Sequence, residues 1–279
     1  TYTGTFYTWR TATKFKINQW TWVTTKGAME YVHKHLSPAI YFSKHDAINL
    51  PPVTYIPYEV EMTKEQQMAS RKLQKELYYE FGNNEITAAN AAVLKNKLLQ
   101  LFSGIIYDEN RNLINIDAKP RYDALLDLIE EHGATPLIIF TTFRHTQDML
   151  LEKLSKDVKG VIRIINGDTK DRGEILQDFD QGKIKILIAH YKTLSHGVDL
   201  TCSNVIVFYT PLFSNESFIQ AVNRIHRLSS AGRGFKGFYI YMLYSCKLEL
   251  EIYKNLEGKT TTQNDLLKRI QDSFTDMSQ

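Results

Sequence analysis

The chain contains 279 residues, with 34 lysines and arginines against 31 aspartates and glutamates, so its formal net charge is only +3. Hydrophobic residues make up 43% and charged residues 23% of the sequence, which excludes a disordered, collagen-like or coiled-coil chain. Its apolar runs are far shorter than the ~20 residues that cross a bilayer, and its two cysteines are too few for a disulfide framework or a zinc site. We expect a cytoplasmic protein of one large or two small domains, with no metal site and no membrane partner.

Residues 1–60 are rich in aromatic and basic side chains. Aromatic rings interleaved with lysines can stack on the bases of single-stranded nucleic acid. Large side chains also dominate ordinary protein cores, and we favour a small subdomain that packs these rings inward. The segment Val53–Met62 alternates like a strand, and Pro57 favours a place at the edge of a sheet.

Two helices are predicted after this strand. Residues Thr63–Gln66 have the pattern of a capping box, from which a helix runs to about Phe81 and ends at Gly82. A second helix covers roughly Thr87–Phe102 and ends at Gly104, and Tyr107–Asn115 is a polar loop or short hairpin. We assign residues 1–116 to an aromatic-rich, mainly helical linker subdomain.

From residue 117 to residue 279, short apolar runs alternate with helical segments. The predicted strands are Pro136–Phe140, Val161–Ile165, Ile184–Ala189, Val205–Tyr209 and Phe238–Leu243. The predicted helices are Lys119–Glu131, Arg144–Leu154, Lys170–Phe179, Glu216–Leu228 and one from about Lys247. This alternation predicts an α/β fold, in which a parallel sheet has helices on both faces. The functional loops of such a sheet follow the carboxyl ends of its strands.

The loop after the predicted strand Ile184–Ala189 runs from His190 to Thr201. Within it, Gly197 permits a close backbone approach to a ligand and Asp199 could accept ribose hydroxyls, although most turns of this type bind nothing. His190 and the histidine six residues later have no partner at metal-ligand spacing, which argues against a metal site.

The helix after the strand Val205–Tyr209 carries Gln220, Arg224 and Arg227 on one face, at positions i, i+4 and i+7. Two guanidinium groups on one stripe can bind a phosphate, whereas such a stripe taken alone is more often a solvated basic face. Its position beside the loops of a parallel sheet favours phosphate binding.

The segments His190–Leu200 and Gln220–Arg227 resemble motifs five and six of superfamily-two helicases, and are most similar to the Swi/Snf-type DNA translocases of bacteriophages and bacteria. Pro136–Arg144 resembles motif four, and Asn166–Thr169 resembles the segment that follows it. Ser229 and the next serine stand where the family often has Gly-Gln, and Asp199 where it commonly has Asn. The resemblance implies that residues 117–279 form a RecA-like second lobe.

A phosphate loop of the form Gly-x4-Gly-Lys-Ser/Thr is missing from the sequence. The nearest match, Gly258–Thr260, has Tyr253 where the first glycine would stand, and we predict that it is an exposed loop. The resemblance implies that ATP and Mg²⁺ bind mainly to a first RecA-like lobe encoded upstream. We therefore expect this chain to be inactive by itself.

The resemblance also implies a role for each candidate residue. Arg224 and Arg227 would reach the γ-phosphate of ATP as arginine fingers, Gln220 would orient that contact, and Gly197 and Asp199 would close on the nucleotide. The implied contacts to DNA phosphates are Thr141, Thr142, Arg144, Gly167, Thr169, Lys192 and Thr193. Thr141 and Thr142 could instead satisfy backbone groups at the strand end, and Thr169 could instead cap a helix.

Three classes of function remain open from the sequence. The first is one lobe of an ATP-dependent DNA helicase or translocase, with DNA and the first lobe as partners, in the cytoplasm of a bacterial host if a phage encodes it. The second is a non-enzymatic nucleic-acid-binding module on a RecA-like fold, and the third is a nucleotide-binding regulatory domain. The motif-six arginines favour the first, because a binding module has no use for groups that contact a γ-phosphate. The near-neutral charge argues against the second.

Overall fold

The computed structural model describes residues 5–19, 21–36, 50–81, 84–133, 135–194 and 198–256. The chain divides into two compact units, Ile48–Thr260 and a smaller unit that combines Thr1–Ala47 with Thr261–Gln279. We expected the division after residue 116. The structure divides the chain earlier, because residues 50–116 contribute an edge strand to the main sheet and pack within the larger unit.

The first described helix of the smaller unit is α1 (Phe6–Thr13). A capping box between Thr5 and Thr8 forms its N-terminus. Strands β1 (Lys14–Lys16) and β2 (Trp22–Thr24) form an antiparallel ribbon, and helix α2 (Ala28–Leu36) follows. The expectation that the aromatic rings pack inward is wrong for three of them, because the exposed fractions of Phe6, Tyr7 and Phe15 are 73%, 65% and 50%.

The larger unit starts with strand β3 (Val53–Glu59), which lies at the edge of the main sheet as Pro57 indicated. The elements that follow are α3 (Lys64–Glu76), the hairpin β4 (Tyr78–Phe81) and β5 (Asn84–Thr87), α4 (Ala91–Ser103), and the ribbon β6 (Ile105–Tyr107) and β7 (Leu113–Asn115).

Two helix predictions in this region need correction. The capping box of Thr63 and Gln66 is present, but α3 ends at Glu76 because Leu77 adopts a left-handed conformation with φ of 57°. The residues after it pair as the hairpin β4–β5, so the expected mainly helical region contains two antiparallel ribbons. Helix α4 consequently starts at the side-chain cap of Asn90 and not at Thr87, which is paired with Tyr78.

The rest of the larger unit alternates helices and strands as predicted, with small shifts at their ends. The elements are α5 (Lys119–Glu131), β8 (Leu137–Thr141), α6 (Arg144–Asp157), β9 (Ile162–Ile165), α7 (Arg172–Asp180), β10 (Ile186–His190), β11 (Val205–Phe208), α8 (Asn215–Ile225), β12 (Phe238–Tyr244) and α9 (247–256). Short 3-10 helices cover Tyr191–Leu194 and Leu228–Arg233. No helix of the described residues is long and apolar enough to cross a membrane.

The main sheet has six strands in the order β3-β12-β11-β8-β10-β9, and every neighbouring pair is parallel. Alternate residues of β8 enter different cores. Ile138 and Phe140 pack with α7, α8 and α9, whereas Leu137 and Ile139 pack with α5 and α6. The sheet is therefore buried by helices on both faces, and the predicted RecA-like α/β fold is confirmed.

A buried ion pair joins α5 to α9. The guanidinium of Arg121 donates to Glu249 Oε1 at 2.9 Å and Oε2 at 2.5 Å, and also to the carbonyl of Tyr209 at 2.9 Å. Arg121 is 1% exposed and Glu249 is fully buried. Arg121 therefore links the residue after β11 to both α5 and α9.

Candidate nucleotide and nucleic-acid site

The carboxyl ends of β8, β10 and β11 meet at one edge of the sheet. The backbone N–H of Thr142 donates to the hydroxyl of Thr210 at 2.8 Å, and the hydroxyl of Thr142 donates to the carbonyl of Pro211 at 2.9 Å. The imidazole of His190 lies 3.0 Å from the carbonyl of Thr142. Hydrogen bonds across the three strand ends therefore fix the loops that follow them.

Thr141, the last residue of β8, and Thr142, the next residue, mainly satisfy groups at the strand ends. Thr141 is fully buried, and its hydroxyl lies 3.4 Å from that of Thr210. A buried hydroxyl cannot reach a phosphate in solvent, so Thr141 takes the structural role that was its alternative and we leave it out of the proposed contacts. Thr142 is half-buried, and its hydroxyl already donates to Pro211.

His190 orients the short 3-10 helix that follows β10. Its Nδ1 accepts the backbone N–H of Lys192 at 3.2 Å, so the ring proton lies on Nε2 and is donated to the carbonyl of Thr142. Burial lowers the pKa of His190, the bond to Thr142 opposes this, and the charge of Lys192 lowers the pKa further. A neutral imidazole therefore positions this loop.

Lys192 and Thr193, the two predicted phosphate contacts on this 3-10 helix, differ in exposure and in hydrogen bonding. The side chain of Lys192 is exposed, and its ammonium lies 5.9 Å from the ring centre of Tyr191. The hydroxyl of Thr193 lies within hydrogen-bond distance of two carbonyls, at 2.6 Å from His190 and 3.1 Å from Ile165. Lys192 can thus meet a phosphate directly, whereas Thr193 mainly anchors the loop to β9.

A wide, open depression of about 490 Å³ lies beside the loop between β9 and α7. Its lining includes the predicted residues Arg144 and Thr169, together with Arg163 and Lys170, which the sequence analysis did not single out. Arg144 forms an ion pair with Asp168 and remains largely exposed. The lining also contains Asp168 and Asp171, so basic side chains are only slightly in excess. The open shape of the depression suits an extended ligand better than a small enclosed one.

The loop between β9 and α7 is held by hydrogen bonds to Asn166. The backbone N–H of Asn166 donates to the hydroxyl of Thr169 at 3.0 Å, and that of Asp168 donates to the amide oxygen of Asn166 at 3.0 Å. Helix α7 begins at Arg172 with Asp171 at its N-cap, so the alternative role of Thr169 as the helix cap is wrong. Gly167 is exposed at the tip, where its backbone can approach a ligand closely.

Asp199 connects motif five to motif six. One carboxylate oxygen accepts the backbone N–H of Thr201 at 3.1 Å, and the other accepts the hydroxyl of Ser229 at 2.8 Å. Burial raises the pKa of Asp199, but the bonds from Ser229 and Thr201 and the charge of Arg227 outweigh it, so the pKa lies below its usual value. Gly197, the other predicted nucleotide-binding residue, lies outside the described residues.

Arg224 lies in the last turn of α8, beside the Asp199 loop. Arg227 follows the helix in an extended conformation, so the expected stripe of three side chains on one helix face is wrong for Arg227. A guanidinium nitrogen of Arg224 donates to the carbonyl of Val198 at 3.2 Å, and Leu200 N–H donates to the carbonyl of Arg224 at 3.1 Å. Arg224 is 7% exposed. Burial and the nearby positive charge of Arg227 lower its pKa, while Asp199 opposes them.

Arg227 is half-buried, and its Nε donates to the carbonyl of Asn223 at 3.0 Å. The two guanidinium groups are therefore kept near each other where burial already opposes positive charge. An anionic ligand would relieve that repulsion. Gln220 donates to Glu216 at 3.0 Å, and no bond from it to the arginines is present in the described part of α8.

Four residues of this site were not predicted, namely Arg163, Lys170, Thr210 and Ser229. Thr210 lies two residues after the end of β11, so the rule that strand ends carry functional loops could have found it. Ser229 was noted only as a departure from the family, and its bond to Asp199, itself a departure, emerges only in three dimensions. Among the described residues, no cluster of three or more His, Cys, Asp or Glu side chains could hold a metal ion.

Comparison with known families identifies the sheet and its loops. Residues 120–229 match the family described as the Helicase conserved C-terminal domain, and this range contains every candidate residue above. This segment is therefore similar to the C-terminal domain of helicases. The match supports the predicted helicase lobe for these residues.

Two relatives show how far the similarity extends along the chain. The chain is 31% identical over 214 residues to protein p41 of Acyrthosiphon pisum secondary endosymbiont phage 1, covering 75% of this chain and 44% of p41. It is 30% identical over 148 residues to the ATP-dependent RNA helicase fal-1 of Neurospora crassa, covering 52% of this chain and 34% of that helicase. The chain thus spans less than half the length of these relatives.

A solved structure of the C-terminal part of the Fun30 ATPase domain shares the fold of this helicase lobe. The two superpose with a TM-score of 0.55 at 17% sequence identity, covering 74% of this chain and 88% of the other. At this identity the likeness concerns the fold alone.

Proposed function

We propose that this chain is the second lobe of an ATP-dependent DNA helicase or translocase of the Swi/Snf type. In this proposal Arg224 and Arg227 act on the γ-phosphate of ATP held by a first RecA-like lobe, and the chain hydrolyses no ATP by itself. The observation that carries the proposal is the convergence of the two arginines with the Asp199 loop at the end of α8.

The chemistry of the arginines fits phosphoryl transfer. Charge that develops on the transferred phosphoryl group would be neutralised by the two guanidinium groups, which burial and mutual repulsion prepare for an anion. Asp199, ionised at neutral pH, would accept ribose hydroxyls, and Gln220 would orient the arginine contact. Mg²⁺, bound with ATP at the other lobe, would supply further charge neutralisation. Gly197 belongs to the same proposed contact set.

Nucleic acid would bind across the strand-end loops through its phosphates. The proposed contacts are Thr142, Arg144, Gly167, Thr169, Lys192 and Thr193, with Arg163 and Lys170 of the open depression added to them. Such contacts hold the backbone without reading bases, so binding would depend on salt and not on sequence. Closure of the two lobes on ATP would then move this set of contacts along the strand.

The choice of DNA rests on motifs five and six. Those segments resemble Swi/Snf-type DNA translocases, and phage protein p41 is among the relatives. The relatives also include an ATP-dependent RNA helicase, so the test must present both nucleic acids. A phage origin would place the protein in the cytoplasm of its bacterial host.

The decisive experiment measures ATP hydrolysis by the chain alone and mixed with the polypeptide encoded just upstream. Each sample is assayed without nucleic acid, with duplex DNA and with RNA. We expect hydrolysis only in the mixture, with stimulation by DNA that exceeds that by RNA.

Two results would revise the proposal. Greater stimulation by RNA would keep the helicase lobe but reverse the choice of DNA. The absence of hydrolysis in every mixture, combined with tight nucleic-acid binding, would favour the non-enzymatic binding module.

A further inference from the structure

We propose that the smaller unit carries a second nucleic-acid site, an aromatic–basic face on which the bases of a single strand stack. The face consists of Phe6 and Tyr7 on α1, Arg10 on the same helix, Lys16 on β1 and Trp22 on β2. It lies outside the strand-end loops of the helicase lobe, and it is argued from the smaller unit alone.

One guanidinium organises the rings of this face. The central carbon of Arg10 lies 4.3 Å from the ring centre of Trp22 and 5.6 Å from those of Phe6 and Tyr7. Phe6 and Tyr7 precede Arg10 by four and three residues, the spacing that places side chains on one side of a helix. Three aromatic rings are thus gathered around one positive charge, an arrangement that cation–π attraction stabilises.

Two of these rings remain open to solvent. Phe6 is 73% exposed and Tyr7 is 65% exposed, although the burial of a large ring normally stabilises a folded protein. Because neighbouring side chains of a strand point to opposite faces, the register that pairs Lys16 with Trp22 places Lys14 on the same face of the ribbon. An unfilled aromatic surface therefore has two exposed lysines beside it.

The charge around this face favours a nucleic acid as its occupant. The described residues of the smaller unit include Arg10 and four lysines, and Glu30 is the acidic residue among them. Bases stack on aromatic rings and guanidinium planes while lysines meet the phosphates. The core of a protein–protein interface, by contrast, is depleted in lysine. A single strand can offer its bases to the aromatic rings and its phosphates to the lysines, whereas the bases of a duplex are stacked on one another and cannot reach the rings.

The test uses the whole 279-residue chain and fluorescence anisotropy. The probes are labelled oligothymidylate and oligouridylate of about 15 nucleotides, near the upper end of single-strand site sizes, and a duplex DNA of equal length. The variants are Phe6→Ala/Tyr7→Ala and Phe6→Leu/Tyr7→Leu. The matched control is Phe15→Ala, because Phe15 is 50% exposed but lies on the opposite face of β1.

We expect both double variants to weaken single-strand binding by about 10-fold or more, since each stacked base contributes roughly 5-fold or more to affinity. Duplex affinity and the Phe15→Ala variant should stay within about 2-fold of the original protein. The leucine pair keeps apolar surface and helix propensity but has no ring face, so it separates stacking from folding and from simple apolar contact. The two single-stranded probes show whether DNA or RNA is preferred.

Several outcomes would overturn the proposal. Full single-strand affinity in the leucine pair would exclude stacking, and an equal loss with Phe15→Ala would exclude a defined face. An equal loss for duplex would indicate a general electrostatic effect. Unchanged single-strand binding combined with weaker association with the upstream polypeptide would show that the face docks a protein. None of these outcomes depends on ATP hydrolysis, so this proposal can fail while the proposed function stands.

Discussion

Two buried arginines of the helicase lobe have opposite electrostatic surroundings. Burial lowers the pKa of Arg121, but the facing carboxylate of Glu249 outweighs it, and the pKa is raised. Burial and the charge of Arg227 lower the pKa of Arg224. The charge of Asp199 raises it, but by less than the other two lower it. Arg121 has its counter-charge within the protein, whereas Arg224 lies beside a second arginine. The burial of an arginine therefore does not by itself show whether an opposite charge outweighs the cost of that burial.

The largest effect is expected at the arginine pair of motif six. In the protein assembled with its first lobe, Arg227→Ala should lower ATP hydrolysis by roughly 10³-fold or more, because the guanidinium acts on the transition state. Nucleotide binding should change little. Steady-state hydrolysis and equilibrium binding of a labelled nucleotide measure the two effects separately. Arg233→Ala is the matched control, since Arg233 lies on the neighbouring 3-10 helix and pairs with Asp180 of α7. Undiminished turnover in Arg227→Ala would exclude its role as an arginine finger.

The structural arginine should behave in the opposite way. Glu249→Gln leaves the charge of Arg121 buried without its carboxylate, and the free energy of unfolding should fall by about 3–5 kcal/mol. The melting temperature should then fall by roughly 10 °C. The double variant Arg121→Met/Glu249→Met should recover much of that loss, because no charge remains buried.

Chemical denaturation of the two variants measures this difference. Lys156→Ala serves as the control, because its ion pair with Glu152 is exposed to solvent and contributes little to stability. Equal instability of the single and double variants would mean that packing, and not charge, makes this pair important.

A smaller effect is expected at the strand-end loops. Lys192→Ala should weaken nucleic-acid binding several-fold and reduce the slope of log K against log salt by about 1, because one phosphate contact is lost. Salt titrations of binding provide the slope. Lys183→Ala tests the opposite, amino-terminal edge of the sheet, where an exposed lysine pairs with Asp178. If the two variants have the same slope, Lys192 contacts no phosphate.

The smallest effect concerns the bond between the two helicase motifs. Ser229→Ala removes a donor to Asp199, so the pKa of Asp199 should rise toward its ordinary value. The lowered pKa stabilises the folded protein above the unfolded value near 4, and this contribution disappears as the pH falls through the folded value. The loss at neutral pH should be under about 1 kcal/mol, because Asp199 is exposed.

Unfolding measured from pH 7 to pH 3 tests this expectation. The difference between Ser229→Ala and the original protein should shrink as the pH falls below about 4. Ser230→Ala offers the contrast, because the hydroxyl of Ser230 donates to the carbonyl of Arg227 and involves no titrating group. A gap for Ser229→Ala that is constant with pH would show that Asp199 is not its partner.

The sequence predicted some regions of the fold better than others, for a physical reason. In residues 117–256, continuous apolar runs and helical periodicity repeat in alternation, and each predicted strand and helix is present. In residues 63–90 the helical pattern continues past Glu76, yet Leu77 turns the chain and Tyr78 pairs with Thr87. Hairpin pairing joins residues across a turn, and a periodicity read along one segment does not register it.

In residues 117–256 the sequence by itself determined the order of strands and helices, the buried parallel sheet, and the place of Arg224 on α8. These follow from local periodicity and from residue types at fixed spacing. Tertiary structure alone decided that Thr141 is buried, that Ser229 binds Asp199, and that Arg121 pairs with Glu249, whereas Phe6 and Tyr7 remain exposed. Such outcomes depend on partners that are distant in sequence, or on the absence of neighbours in space, and no local pattern records either.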